Sequence, residues 1–257
     1  MSDRANPVPS APEVLILELS DLRESLTAGW RDFLRAPLYG LFFAGVYVAG
    51  GWLIMWAATT KGQIWWTLPA GAGFPILGPF VACGFYEISR RIETGQPLDW
   101  RGVLGVIFRQ KDRQIPAMAA VVVVFFLFWN FLAHMIFALF LGNSTMTNVS
   151  SSLAIFATTE GLTMLAVGTV AGAVFAIVLF SFTVVGIPLL LDRDVDFVTA
   201  MITSVGLVRE NPVVMLGWAA LIAAALFVGL MPWFMGLFVV LPVLGHASWH
   251  LYRRSIE

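Results

Sequence analysis

Residues 196–232 read DFVTAMITSVGLVRENPVVMLGWAALIAAALFVGLMP, and the change of pattern at Pro212 decides the fold. Before the proline, Phe197, Met201, Val205 and Val208 recur at helical spacing, which predicts an amphipathic helix opened by Asp196. After it, the chain carries no charge until Arg253 if histidine is counted neutral. About 20 apolar residues of helix cross a bilayer, so this second stretch predicts membrane spans. Proline ends the first helix and suits the opening turn of the next.

The same reading extends over the whole chain. Of 257 residues, 59% are hydrophobic and 12% charged, about half the charge of an ordinary soluble domain. Uncharged runs separate Arg35 from Lys61, Lys61 from Glu87, Arg113 from Glu160 and Glu160 from Asp192. Six spans are expected, near 38–58, 64–86, 117–141, 162–190, 213–230 and 233–250. The last pair is divided at Gly229-Leu230-Met231-Pro232-Trp233, a turn signal with an interfacial aromatic. The fold class is all-α, a polytopic bundle of three hairpins, each preceded by an interfacial amphipathic helix.

Charge sets the orientation. Arg4, Arg23, Arg31 and Arg35 precede the first span, six basic residues occupy 87–116, two occupy 192–211 and two follow the last span, leaving only Lys61. With an even number of spans all these segments share one face, which the positive-inside rule assigns to the cytoplasm. Both termini are therefore expected there. Residues 1–19 lack the basic and apolar regions of a cleaved signal and are expected to form a flexible segment, with 20–257 a single membrane domain. The net charge of −1 offers no basic field for nucleic acid.

An internal repeat emerges from three spacings. Asp21 precedes Pro37 by 16 residues, Asp99 precedes Pro116 by 17 and Asp196 precedes Pro212 by 16. Apolar residues fall at helical spacing in each interval, including Leu22, Leu26, Trp30 and Phe33 in the first and Val103, Leu104 and Ile107 in the second. Pro79 and Pro242 each stand 11 residues before an Arg-Arg pair. The expected repeats are 20–86, 98–191 and 195–257.

Candidate sites concentrate at the ends of the even-numbered spans. His246 and His250, four residues apart, project from one helical face, and with His134 they form a possible metal or haem ligand set. The plainer reading places His250 in a last helical turn, where a cation is favoured, and gives His246 a hydrogen bond within the bundle. By the repeat, Cys83 and Glu87 stand where His246 and His250 do, so the two helix ends are expected to face each other. Asp192 and Asp196 complete the candidates. Haem and copper are the cofactors weighed. A single cysteine, Cys83, excludes an internal disulfide.

Apart from histidine, the span interiors hold no ionisable group, which argues against an ion-coupled pump. Pro69, Pro75 and Pro79 with Gly71, Gly73 and Gly78 predict a broken second span, suited to a solute path or to close packing. Asn143-Ser144-Thr145 and Asn148-Val149-Ser150 match a glycosylation pattern that matters only in a secretory compartment. There is no phosphate loop, nucleophile elbow or zinc-protease motif, and no catalytic residue is nominated.

Three segments carry a family resemblance: residues 86–93 (YEISRRIE), 187–197 (IPLLLDRDVDF) and 245–252 (GHASWHLY). Together they resemble an uncharacterised bacterial integral membrane family, domain of unknown function 2189, over roughly residues 20–255. The resemblance implies a bacterial inner membrane and no assigned activity. Such proteins are sometimes labelled similar to cytochrome c oxidase subunit I, which hints at association with a respiratory complex. That subunit has twelve spans and six histidine ligands, against six spans and three histidines here. The leading expectation is a non-enzymatic scaffold or accessory subunit with the bilayer and another membrane protein as partners. A transporter or channel for a small or lipidic solute and a haem- or copper-handling protein are the alternatives.

Overall fold

The computed structural model describes residues 12–61, 64–110, 113–142 and 156–257. These residues form ten helices: α1 (Leu19–Arg35), α2 (Pro37–Lys61), α3 (Ile64–Glu93), α4 (Trp100–Gln110), α5 (Ile115–Leu141), α6 (Thr159–Thr183), α7 (Gly186–Asp192), α8 (Phe197–Glu210), α9 (Pro212–Leu230) and α10 (Leu237–Ser255). Among the described residues there is no strand beyond an isolated bridge between Val14 and Ile256. The all-helical expectation holds.

Local chemistry sets the helix starts. Asp196 accepts the amides of Val198 and Thr199 at 2.9 Å, and Asp99 accepts that of Gly102 at 3.0 Å. Hydrogen bonds to Thr199 hold the Asp196 carboxyl below the usual carboxylate range. Asp21 sits three residues inside α1 and accepts the Glu18 amide at 2.8 Å, closing the helix from within.

The apolar helices divide less cleanly than expected. By length and composition α5, the pair α6 and α7, and α9 can each cross a membrane, and a fourth crossing is added if α1 and the first part of α2 count as one element bent by 99°. That is three or four candidate spans among the described residues rather than six. Alpha10 carries His246, His250, Arg253 and Arg254, which lowers its apolar character. The side chains of 57–77 lie outside the described residues, as does the glycosylation pattern at 143–150. Despite its glycines and prolines, α3 has continuous helical backbone from Ile64 to Glu93.

The fourth expected span, 162–190, is instead split at Val184–Val185. Pro188 has no N–H to offer the Val184 carbonyl and its ring crowds that position, so the ladder opens there. At the break the Val185 amide donates to the buried Ser204 hydroxyl at 3.2 Å. The turn expected at 229–233 occupies 231–236, where Trp233 and Phe234 take positive φ of 53° and 67°. The Trp52 indole donates to the Trp233 carbonyl at 3.0 Å and pins that strained turn.

One core cluster joins Ile187, Leu189, Met215, Trp218, Trp249 and Tyr252, and another joins Phe43, Phe85, Ile88 and Val103. Alpha5 and α6 pack together through Ile136, Leu141 and Met164. Their outer faces leave Phe131, Leu139, Val170 and Val174 exposed.

Residues 1–11 of the segment expected to be flexible lie outside the described residues, whereas Leu15 and Leu17 are clamped to the bundle. The Leu15 amide donates to the Ser255 carbonyl at 2.9 Å and the Leu17 amide to the Asn211 side-chain oxygen at 2.6 Å. The Asn211 amide group donates in turn to the carbonyls of Leu15 and Leu207. Asn211→Ala is expected to strip the clamp and cost about 2 kcal/mol locally, speeding hydrogen exchange at the Leu17 amide by roughly thirtyfold.

Candidate functional site

Charged and polar side chains meet where α1, α3, α7 and α10 end. The approach of α1 to α10 depends on Gly29, because a Cβ there would lie 2.6 Å from the Ala247 nitrogen and 2.7 Å from the Val243 oxygen. Only glycine allows the two backbones to touch at this crossing. Gly245 similarly makes room for the Phe85 ring, 2.5 Å from where its Cβ would stand.

Two short hydrogen bonds lie beside that crossing. His250 Nε2 is 2.7 Å from Asp32 Oδ2, and Ser89 Oγ is 2.8 Å from His246 Nδ1. Ser89 also stands near the Asp32 carboxyl and helps to hold it below its ordinary value. The buried His246 Nε2 has no hydrogen-bond partner among the described residues. Asp32, Ser89 and His246 are all buried.

Asp32 sits in the last turns of α1, and two influences compete there. Burial raises its pKa, but hydrogen bonds from His250 and Ser89 lower it further, so the carboxyl ends below its ordinary value. A depressed carboxylate contributes stability that is present above its unfolded pKa and lost as pH falls through the folded one. Asp32→Asn is therefore expected to cost about 2 kcal/mol at neutral pH, with the difference from the native chain holding down to about pH 4 and fading only below it, as the lowered Asp32 pKa is crossed, in thermal unfolding in detergent.

Glu87 forms a second hub. Its fully buried carboxylate accepts Arg90 Nε at 2.8 Å and Arg91 Nε at 2.9 Å, and Arg109 stands 3.6 Å away. Arg91 continues to the Pro97 carbonyl and to Asp99, tying the α3–α4 loop to the hub. A third group links α3, α7 and α10. The Tyr252 hydroxyl donates to Asp192 at 2.7 Å, Arg253 bridges Asp192 and Glu93, and the Trp249 indole donates to Glu93 at 3.1 Å.

The sequence candidates thus fall into distinct roles. His246, His250, Glu87 and Asp192 share this layer, and the ends of α3 and α10 face each other there through Ser89–His246 and Glu93–Trp249. Cys83 is a buried free thiol in the main core cluster, and Asp196 is a helix cap. His134 lies on α5, with Nδ1 2.7 Å from the Asn130 carbonyl of its own helix. Among the described residues no three His, Cys, Asp or Glu side chains are gathered to hold a metal ion.

Asp32, Ser89, Glu93, Asn211 and Tyr252 were not nominated from sequence. Asp32 had a signal: it follows Leu22, Ser25 and Gly29 along one face of α1, an acid on the face that packs. The polar layer can orient protons along fixed hydrogen bonds and lock helix ends together. It presents no nucleophile paired with a general base at an open surface.

Comparison with known families agrees with the membrane character. Residues 67–192, just under half of the chain, match the family model described as predicted integral membrane protein, domain of unknown function 2189. The match takes in the segments 86–93 and 187–192 but not 245–252, so it is narrower than the resemblance over 20–255. No curated protein and no solved structure matches the chain.

Proposed function

We propose that this chain, whose central stretch belongs to a family of predicted integral membrane proteins, is a non-enzymatic scaffold or accessory subunit of the bacterial inner membrane. In this reading α2, α3, α5, α6 with α7, α9 and α10 are six spans, and α1, α4 and α8 lie in the cytoplasmic interface. Both termini are cytoplasmic, and the interfacial-helix-plus-hairpin unit occurs three times.

The observation that carries the reading is the interlocked polar layer. Asp32, Glu87, Glu93 and Asp192 each bond groups on their own or neighbouring helices, so these carboxylates act as fasteners. Such a layer fixes the helix ends while α5, α6 and α9 offer long apolar faces to the bilayer and to other membrane helices.

Purification from native membranes in mild detergent, after in-membrane crosslinking, tests this directly. The expected result is a stoichiometric membrane-protein partner crosslinked to α5, α6 or α9, with no haem absorbance and no bound copper or iron. Solute flux through proteoliposomes of the chain alone, or a haem Soret band, contradicts it.

A further inference from the structure

Alpha1 has three faces. Leu22, Ser25, Gly29, Asp32 and Phe33 are buried toward the bundle. Leu19, Trp30 and Leu34 form an exposed apolar strip. Arg23 stands within that strip, between Leu19 and Trp30, and Thr27 and Arg31 follow it at four-residue spacing toward the strip's edge; all three are exposed. An exposed apolar strip flanked by arginines is the pattern of a helix lying in the headgroup layer. The sharp bend into α2 sets α1 across the apolar helix that comes after it.

The basic face is also concave. A cavity of about 580 Å³ is lined by Ser20, Arg23, Glu24, Thr27, Arg31 and Arg254. Arg254 is neutralised by Asp21 at 3.3 Å and Glu24 at 2.8 Å. Among the described residues no carboxylate pairs with Arg23 or Arg31; the Arg31 Nε makes only a long 3.4 Å bond to the Thr27 carbonyl. Two guanidinium groups two helical turns apart, without acids of their own, flank one hollow next to an apolar strip. Guanidinium forks match phosphate oxygens, and the strip suits acyl chains.

We infer that this hollow binds the phosphodiester headgroup of an acidic phospholipid, held by Arg23 and Arg31 with its chains against Leu19, Trp30 and Leu34. The inference rests on the proposed placement of α1 at headgroup level. It adds a lipid preference to that placement. Zwitterionic lipid carries a cation that two unpaired arginines repel, which makes the hollow selective for net negative headgroups.

The test uses the full chain in nanodiscs of mixed phosphatidylglycerol and phosphatidylcholine, transferred to mild detergent, with retained lipid read by native mass spectrometry. The native chain is expected to retain phosphatidylglycerol over phosphatidylcholine by about tenfold, and R23Q/R31Q to lose that preference at an unchanged unfolding temperature in phosphatidylcholine. R101Q/R209Q, which removes two arginines elsewhere, is expected to keep it. Equal retention of the two lipids, an unaltered preference in R23Q/R31Q, or an equal loss in R101Q/R209Q overturns the inference. So does displacement of the lipid by inorganic phosphate at millimolar concentration, which identifies a soluble-phosphate site. Absence of the preference in the native chain while labelling still places α1 on the cytoplasmic side removes this inference alone; failure of that labelling removes the placement.

Discussion

Gly29→Ala is expected to be among the most destabilising single substitutions in the chain, at about 3 kcal/mol. The added methyl meets backbone nitrogen at 2.6 Å and backbone oxygen at 2.7 Å, and neither can rotate aside. Alpha1 must move off α10, and Asp32, one turn further along α1, then loses its short bond to His250. Gly217→Ala is the comparison, because a Cβ there meets nothing within 4 Å and alanine is the better helix former. Thermal unfolding in one detergent should show a large drop for the first and none for the second. Equal unfolding temperatures would mean that the crossing of α1 and α10 is not as close as described.

Glu87→Gln is expected to cost about 3 kcal/mol, through unpaired arginines rather than lost packing. The variant keeps the shape but leaves Arg91, with only 11% of its side chain exposed, facing a neutral group. Arg90 and Arg109, at 31% and 55%, can turn toward solvent, which holds the cost below the sum of three lost pairs. Asp99→Asn, at the exposed edge of the same network, should cost less than about 1 kcal/mol. Chemical unfolding of both variants checks the ranking, and a larger effect at Asp99 contradicts it.

Much of the helical framework was readable because proline and aspartate act locally. Pro37 and Pro212 each open a helix where expected, and Asp99 and Asp196 cap the helices they precede. The split between α6 and α7 was missed because Pro188 acts four residues before itself, on a carbonyl in an otherwise unbroken apolar run. The layer of candidate residues was also readable in part. His246, His250, Glu87 and Asp192 stand out in sequence as polar groups at the margins of apolar runs.

Their partners did not stand out. Asp32 comes after Arg31 and precedes two apolar residues on an amphipathic helix, where an acid reads as solvated. Only the tertiary crossing at Gly29 turns it inward. Asn211 reads as a residue before a proline, and its role comes from a chain segment almost 200 residues away. Helical spacing relates His246 to His250, but no local pattern fixes where another helix sets His134.

The central claim is that the interlocked polar layer and both termini lie on the cytoplasmic side of a six-span bundle. Side-specific thiol labelling of single cysteines in intact cells and inverted vesicles tests it, using Cys83→Ser as background. Gln96→Cys, Asp194→Cys and Glu257→Cys are predicted to react only in inverted vesicles, and Ala157→Cys and Met231→Cys only in intact cells. Labelling of any of the first three from outside intact cells would contradict the account.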